Sequence, residues 1–319
     1  VQRANSNDQT TLGKHFPSTA NEVLPHVLQG PDDFFVPPES LLEAVQRVAK
    51  TPVLTPLKPP VRFDDSLEAA QSNSALLESF NFDMEQLLSS CQDTTMGFGS
   101  EFCPIHYLQS IFEGHPWFPF LAGVLTHGMD YVFDSELSEV ERQEELGQLM
   151  TRGNHKSALS DEKETQRLIL KDVRHGFAMP LLPATVPKLK GGMVQPCGVA
   201  QQFALQPDGT RAIKPRLTHD LSFSSSTPNK SVNARIDIEQ YPPMIHGWCL
   251  SRTLHFIVAL RLAHPTKRIF IAKYDFSDAC RRIAHSAKAA AQTILLIAGL
   301  AFVALRLTFG GSPNPPTWC

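Results

Sequence analysis

A carboxylate placed where an apolar run stops is the kind of group a hard divalent cation needs, and Asp275 stands in such a place. The run Ile269-Phe-Ile-Ala272 leads straight into Lys273-Tyr-Asp275-Phe-Ser-Asp278-Ala-Cys280-Arg-Arg-Ile283. An apolar run of this length reads as a buried strand, with a short amphipathic segment after it. Asp275 then sits at the C-terminal mouth of the strand, where backbone pairing ends and an ion such as Mg²⁺ could take its oxygens. The plainer reading makes Asp275 the cap of a helix starting near Ser277, with Asp278 a cap or surface residue.

Two further stretches carry chemistry. Lys214-Pro-Arg216-Leu-Thr-His-Asp220-Leu-Ser222, followed by Pro228-Asn-Lys230, sets cations on an extended segment. Lys and Arg so placed can meet phosphates, Arg in bidentate fashion, although such residues on a hairpin are commonly just solvated. Leu307-Thr-Phe309-Gly310-Gly-Ser-Pro-Asn-Pro-Pro-Thr-Trp318 pairs an aromatic ring with a residue that lets the backbone approach a neighbour closely. Taken alone, it also reads as a Gly-Pro loop.

The elements that must position these groups are legible from pattern. Val199 to Leu205 is a strand, Pro207-Asp-Gly209 a turn and Arg211 to Leu221 the return strand, so the cations lie on a hairpin. Leu250 to Leu262 reads as a helix ended by Pro265. Ile294 to Leu305, 12 apolar residues, falls short of a membrane span of roughly 20. Ala298-Gly299 in its middle predicts two short strands joined by a turn, so no membrane partner is expected. Ser135 to Met150 predicts an acidic helix with Leu137, Val140, Leu146 and Leu149 as its apolar stripe. A second helix, capped by Ser160, buries Leu168, Ile169 and Val173 and stops at Gly176.

Composition divides the chain into three parts. Residues 1–75 are Pro-rich and read as largely disordered linker, with one helical island after the capping box Ser40-Leu-Leu-Glu43. Residues 76–160 form an acidic, aromatic-rich helical region, and residues 161–319 carry the chemistry. Charge follows the same division. Residues 1–160 hold 9 basic against 22 acidic side chains, whereas residues 161–319 hold 20 against 10. A basic C-terminal half suits a polyanionic partner, and an ordinary solvated surface gives the same count. The six cysteines show no C-x-x-C pair, which argues against a disulfide framework, and Cys103, His106 and His115 lack a fourth zinc ligand. The N-terminus, which begins at Val1, shows no signal peptide.

In that order and spacing, the three blocks resemble the reverse transcriptases (RNA-directed DNA polymerases) of retroelements, over roughly residues 165–319. The resemblance implies an α+β right-hand polymerase, with fingers and a partial palm behind a Pro-rich and helical N-terminal extension. It implies that Asp275 binds two Mg²⁺ (or Mn²⁺) ions, helped by the Phe276 carbonyl, for nucleotidyl transfer from a dNTP on an RNA or DNA template-primer. Arg216, with Lys214 near it, would hold the triphosphate. Asp220 would brace the hairpin, and Phe309 and Gly310 would shape the nucleotide pocket. Cys280 stands where the family has Tyr or Phe beneath the sugar, which implies weaker rejection of ribonucleotides. The family's aromatic-x-Asp-Asp block is expected beyond the Phe-Gly turn; Asp32-Asp33 and Asp64-Asp65 lie upstream, in the wrong order. The chain as given is therefore expected not to polymerise. The alternatives are a non-enzymatic nucleic-acid-binding remnant, a decayed retroelement fragment, or an assembly role for the N-terminal half with other polyprotein segments. The setting implied is intracellular, cytoplasmic or nuclear.

Overall fold

Most of the longer helices begin where a short polar side chain can take up backbone N–H groups that have no partner in the helix. The computed structural model describes residues 56–112, 114–206, 208–227, 230–243, 249–271 and 278–318, with Glu43, Gln46, Arg47 and Lys50. α1 (Leu67–Ser79) follows Ser66, whose hydroxyl accepts from Ala69 N. α2 (Met84–Ser90) follows Asp83, which accepts from Glu85 N and Gln86 N. α3 (Ile105–Phe112) and α4 (Phe118–His127) carry the aromatic stretch. α5 (Glu139–Arg152) opens with a full capping box between Ser138 and Glu141. α6 (Lys156–Leu159) is a single turn, and α7 (Glu162–Arg174) is capped by Asp161. Then come β1 (Ala178–Leu181), β2 (Cys197–Leu205), β3 (Arg211–His219), α8 (Val232–Arg235), α9 (Cys249–Ala263), α10 (Ala287–Ala291), β4 (Ile294–Ile297), β5 (Leu300–Ala304) and α11 (Asn314–Trp318).

The chain divides into two units, residues 1–43 with 245–275 and residues 44–244 with 276–319. In the first, α9 sets Leu250, Leu254, Val258 and Leu262 four apart, all exposed. The strand expected over Ile269–Ala272 is not seen in its described part. Ile269 to Ile271 carry no strand pairing, and Phe270 and Ile271 are exposed. Most of the island after Ser40 lies outside the described residues.

The second unit is mixed helix and sheet. Its three-stranded antiparallel sheet has the order β1-β5-β4, and β2 pairs with β3 in a separate hairpin. Ala301 and Val303 of β5 join a cluster with Met179, Leu181, Leu77, Leu87, Leu146 and Leu149. Phe302 points the other way, into a cluster with Leu295, Ile169, Val173, Cys197 and Leu217. Burial on both faces explains why Ile294–Ile297 and Ala301–Leu305 read as continuous apolar runs rather than alternating ones. Ala298 (φ 51°) and Gly299 (φ 77°) make the expected two-residue turn between β4 and β5. A third cluster gathers Tyr131, Leu221, Ile236, Tyr241 and Leu307. Among the described residues no helix is long and apolar enough to cross a membrane.

Several expectations shift. α1 runs across the boundary placed at residue 75, because Asn73, fully buried, accepts from Arg62 N and donates to Arg62 O and Pro180 O. Asp161, not Ser160, caps α7. On α5, Leu146 and Leu149 are buried as expected but Val140 is 69% exposed. The buried side of α5 instead includes Arg142, which donates to Gly192 O at 2.6 Å, and Glu145.

The third cluster borders a buried polar pair. His285 Nδ1 donates to Ala304 O at 2.9 Å, and Tyr131 Oη lies 3.5 Å from His285 Nε2. Burial drives the His285 pKa down to about 4, against the weaker opposing pull of the Ala304 bond. Between that value and the ordinary 6.5 the unfolded chain takes up a proton that the folded chain does not, so stability is full above the upper limit and falls toward the lower. The expected loss across this window is about 3 kcal/mol from His285. Urea titrations at pH 7.5 and 5 should show His285→Gln to be less pH-sensitive than wild type. Parallel losses would rule His285 out as the source.

Candidate functional site

The β2–β3 hairpin carries the expected cations on one face. Register pairs Ala200 with Arg216 and Gln202 with Lys214, and alternation turns both cations away from the side that buries Cys197, Leu217 and His219. Lys214 is exposed and Arg216 half-buried. Neither has an ion-pair or side-chain hydrogen-bond partner among the described residues. Arg142, Arg167 and Arg281, by contrast, are all paired to carboxylates.

At the hairpin root three sequence blocks meet. Asp220 N donates to Pro196 O at 2.9 Å, and its Oδ1 accepts from Ser222 N at 3.2 Å. Its Oδ2 lies 2.8 Å from His155 Nε2, just ahead of α6. His219 N donates to Phe309 O at 3.0 Å. Asn233 Nδ2 donates to Gly310 O at 2.7 Å and to Ser222 Oγ at 2.9 Å, while its Oδ1 accepts from Ser312 N at 2.8 Å. One amide side chain thus ties the residues after β3 to the Phe-Gly turn. Gly310 has φ 136°, and a Cβ built there would stand 1.8 Å from His219 O, so no larger residue fits. Phe309 leaves half its surface exposed beside this junction.

The loop after the hairpin is held by one carboxylate. Glu145, 3% exposed, accepts from Ser224 Oγ at 2.9 Å, Ser225 N at 2.5 Å and Ser226 Oγ at 2.8 Å. Burial works to raise its pKa, but these donors outweigh it and the net shift is downward.

Cys280 lies in the 3₁₀ turn Ala279–Arg282, half-buried against the cluster that holds Leu221, Tyr241 and Leu307. Asp278, expected as a cap or surface residue, makes no capping hydrogen bond; its carboxylate pairs with Lys171 instead. Asp275 and Phe276 lie outside the described residues. Among the described residues, no group of three or more His, Cys, Asp or Glu is placed to hold a metal ion. The structure therefore brings together Asp220, Phe309 and Gly310, with Lys214 and Arg216 farther along the same hairpin. His155, Glu145 and Asn233 were not singled out from sequence. Asn233 alone had a local signal, since it follows Ser231, the cap of α8. A cleft of about 500 Å³ opens in this unit, lined by Glu85, Phe98, His127, Asp130 and Lys288 among others, but none of the predicted site residues lines it.

Compared with known protein families, curated proteins and solved structures, the chain matches none.

Gly310→Ala should cost at least about 2 kcal/mol, because backbone must move to admit the methyl group. Gly209→Ala, at φ 82° in open space, should cost only the backbone strain of about 1–2 kcal/mol. Urea midpoints give the comparison, and equal costs would mean that the junction yields.

Proposed function

We propose that this chain is the nucleotide- and template-binding part of a reverse-transcriptase-like nucleotidyl transferase of a retroelement, an α+β right-hand polymerase with fingers and palm. The observation that carries the reading is the junction at the hairpin root. Asp220 and the Phe309-Gly310 turn, far apart in sequence and both expected to serve one nucleotide site, lie side by side: His219, next to Asp220, donates its backbone N–H to Phe309 O, and Asn233 bridges Ser222 to Gly310 O. The unpaired Lys214 and Arg216 on the same hairpin supply charge for a triphosphate or a template backbone.

In this reading Arg216 forks onto the triphosphate, Asp220 holds the hairpin root through His155 and the Ser222 turn, and the Gly310 backbone borders the nucleotide. Asp275 and the Phe276 carbonyl are oxygen donors, which suits Mg²⁺ or Mn²⁺ by type. When bound, such an ion neutralises triphosphate charge. One carboxylate does not suffice for two ions, and the described residues add no cluster to it.

Binding of a dNTP to the full chain tests the reading. Arg216→Ala should weaken it roughly tenfold or more, as expected for loss of a charge-assisted fork. Asp275→Ala should remove its dependence on divalent ions and, in a complete polymerase, abolish primer extension. Unchanged affinity and ion dependence would sink the assignment. Cys280→Tyr should shift the preference toward deoxy- over ribonucleotides, and an unchanged ratio would mean that Cys280 does not face the sugar.

The second reading, a non-enzymatic nucleic-acid-binding role, draws on the same unpaired cations and the lack of a metal cluster among the described residues. It expects template-primer binding that weakens steeply with salt and shows no ion-dependent dNTP binding.

A further inference from the structure

The cationic face of the hairpin does not end with Arg216. A Cβ built on Gly198 would stand 3.3 Å from Thr218 Oγ1, 3.1 Å from Ser157 Oγ and 3.8 Å from His155 Cδ2. Gly198 shares its face with Ala200 and Gln202, whose partners are Arg216 and Lys214. His155 and Ser157 therefore stand at the root of the face that carries both cations. On the opposite edge of the His155 ring lies Arg152, the last residue of α5. Its Nη2 donates to His155 Nδ1 at 3.4 Å, its Nη1 donates to Gly153 O at 3.0 Å, and its Cζ stands 4.0 Å from the centre of the Phe223 ring. Asp220 sets the tautomer that makes this possible: its Oδ2 takes the Nε2 proton of His155 and leaves Nδ1 to accept. Arg152 is exposed, and no carboxylate among the described residues pairs with it.

A cation at a helix C-terminus is favourable on charge alone, but that role asks for no particular direction. The stack on Phe223 and the two hydrogen bonds hold Arg152 in one plane and still leave N–H donors to spare. A planar guanidinium ordered in advance gives up little freedom when it forks onto a phosphate. We infer that Arg152 is a phosphate-binding residue, a subsite at the hairpin root that extends the track of Lys214 and Arg216, and that its occupant is a phosphate of a single nucleic-acid strand. The inference rests on the hairpin being a nucleic-acid-binding face, which both readings above share. Length chooses the occupant. Lys214 and Thr218 lie four residues apart on β3, roughly 13 Å, and His155 separates Arg152 from that end. The three linked phosphates of one nucleotide are shorter than this span, whereas a strand carries a phosphate on every nucleotide along it. Asp220 does not face the strand as a free anion, because its oxygens are engaged by His155 Nε2 and Ser222 N.

The test measures binding of a fluorescein-labelled single-stranded dT oligonucleotide, and separately of dTTP, to the full chain over a series of KCl concentrations. Arg152→Ala should weaken oligonucleotide binding roughly tenfold at low salt, as for loss of a charge-assisted fork. It should also lower the slope of log affinity against log salt by about 0.7, one phosphate contact on a single strand. Arg152→Lys should keep the wild-type slope yet lose affinity, since a lysine supplies the charge without the stacked fork. If Arg152→Ala lowers the urea midpoint, Arg152→Gln, which keeps a donor and removes the charge, carries the same comparison. The dTTP arm separates the two sources of phosphate. A loss of dTTP affinity equal to that of the oligonucleotide would assign Arg152 to the triphosphate and overturn the strand assignment. Wild-type oligonucleotide binding that the variants retain, slope included, would overturn the inference alone. A wild-type chain that binds no oligonucleotide at low salt would sink the reading of the hairpin and the inference with it. Oligonucleotide binding that depends on Arg152, in a chain that binds no dTTP, would uphold the inference and favour the non-enzymatic reading.

Discussion

The second unit turns on a place where two backbones come so near that no side chain fits between them. Gly310 lies against His219 O, and the bond from His219 N to Phe309 O closes the contact. β3 ends there, and this contact holds the hairpin root together with the bonds from Asp220 N to Pro196 O, from Cys197 N to Asn154 Oδ1 and from His155 N to Cys197 O. Leu307, in the third cluster, and Thr308, whose carbonyl accepts from Asn314 Nδ2, anchor the Phe-Gly turn from below. The junction thus couples the turn after β5 to the hairpin without the two sharing a sheet.

What could be read from sequence was local. The β2–β3 hairpin, the β4–β5 turn and α9 follow from turn residues and periodicity within one short window. The capping box of α5 was missed, although Ser138 and Glu141 spell it. The expected stripe of α5 was half right for a physical reason. Position alone puts Val140 on an apolar face, but the facing surface offers Gly192 O and three serine donors, so Arg142 and Glu145 are drawn inward and Val140 is left outside. Such partners lie about 50 to 80 residues away and leave no local trace.

The candidate site divides in the same way. Phe309, Gly310 and Arg216 are ordinary residues for a loop and a hairpin, and they stand out in the sequence only through the order and spacing of the blocks that hold them. His155 and Asn233 do not stand out, because each acts through a neighbour supplied by the fold. Asp278 shows the difference. As sequence it is a cap or a surface residue; in the fold it makes no side-chain capping bond, Lys171 takes its carboxylate in exposed surroundings, and its backbone is left-handed. Charge burial recurs here, at Arg281 with Asp172 and at Glu145 with its serine donors, and each buried charge is met by hydrogen bonds.

The hairpin has a mechanical consequence. Cys197, Leu217 and His219 fasten its root in the core, while Phe203, Leu205 and Ile213 at the far end are exposed. At about 3.3 Å per residue, β2 reaches about 26 Å from Cys197 to Leu205, so a rotation of roughly 5° at the root swings the tip by roughly 2 Å. It is a lever arm with its fulcrum at the Gly310 contact. Few side chains fasten the root, so a small change in packing there moves the tip most and carries Lys214 and Arg216, between root and tip, with it.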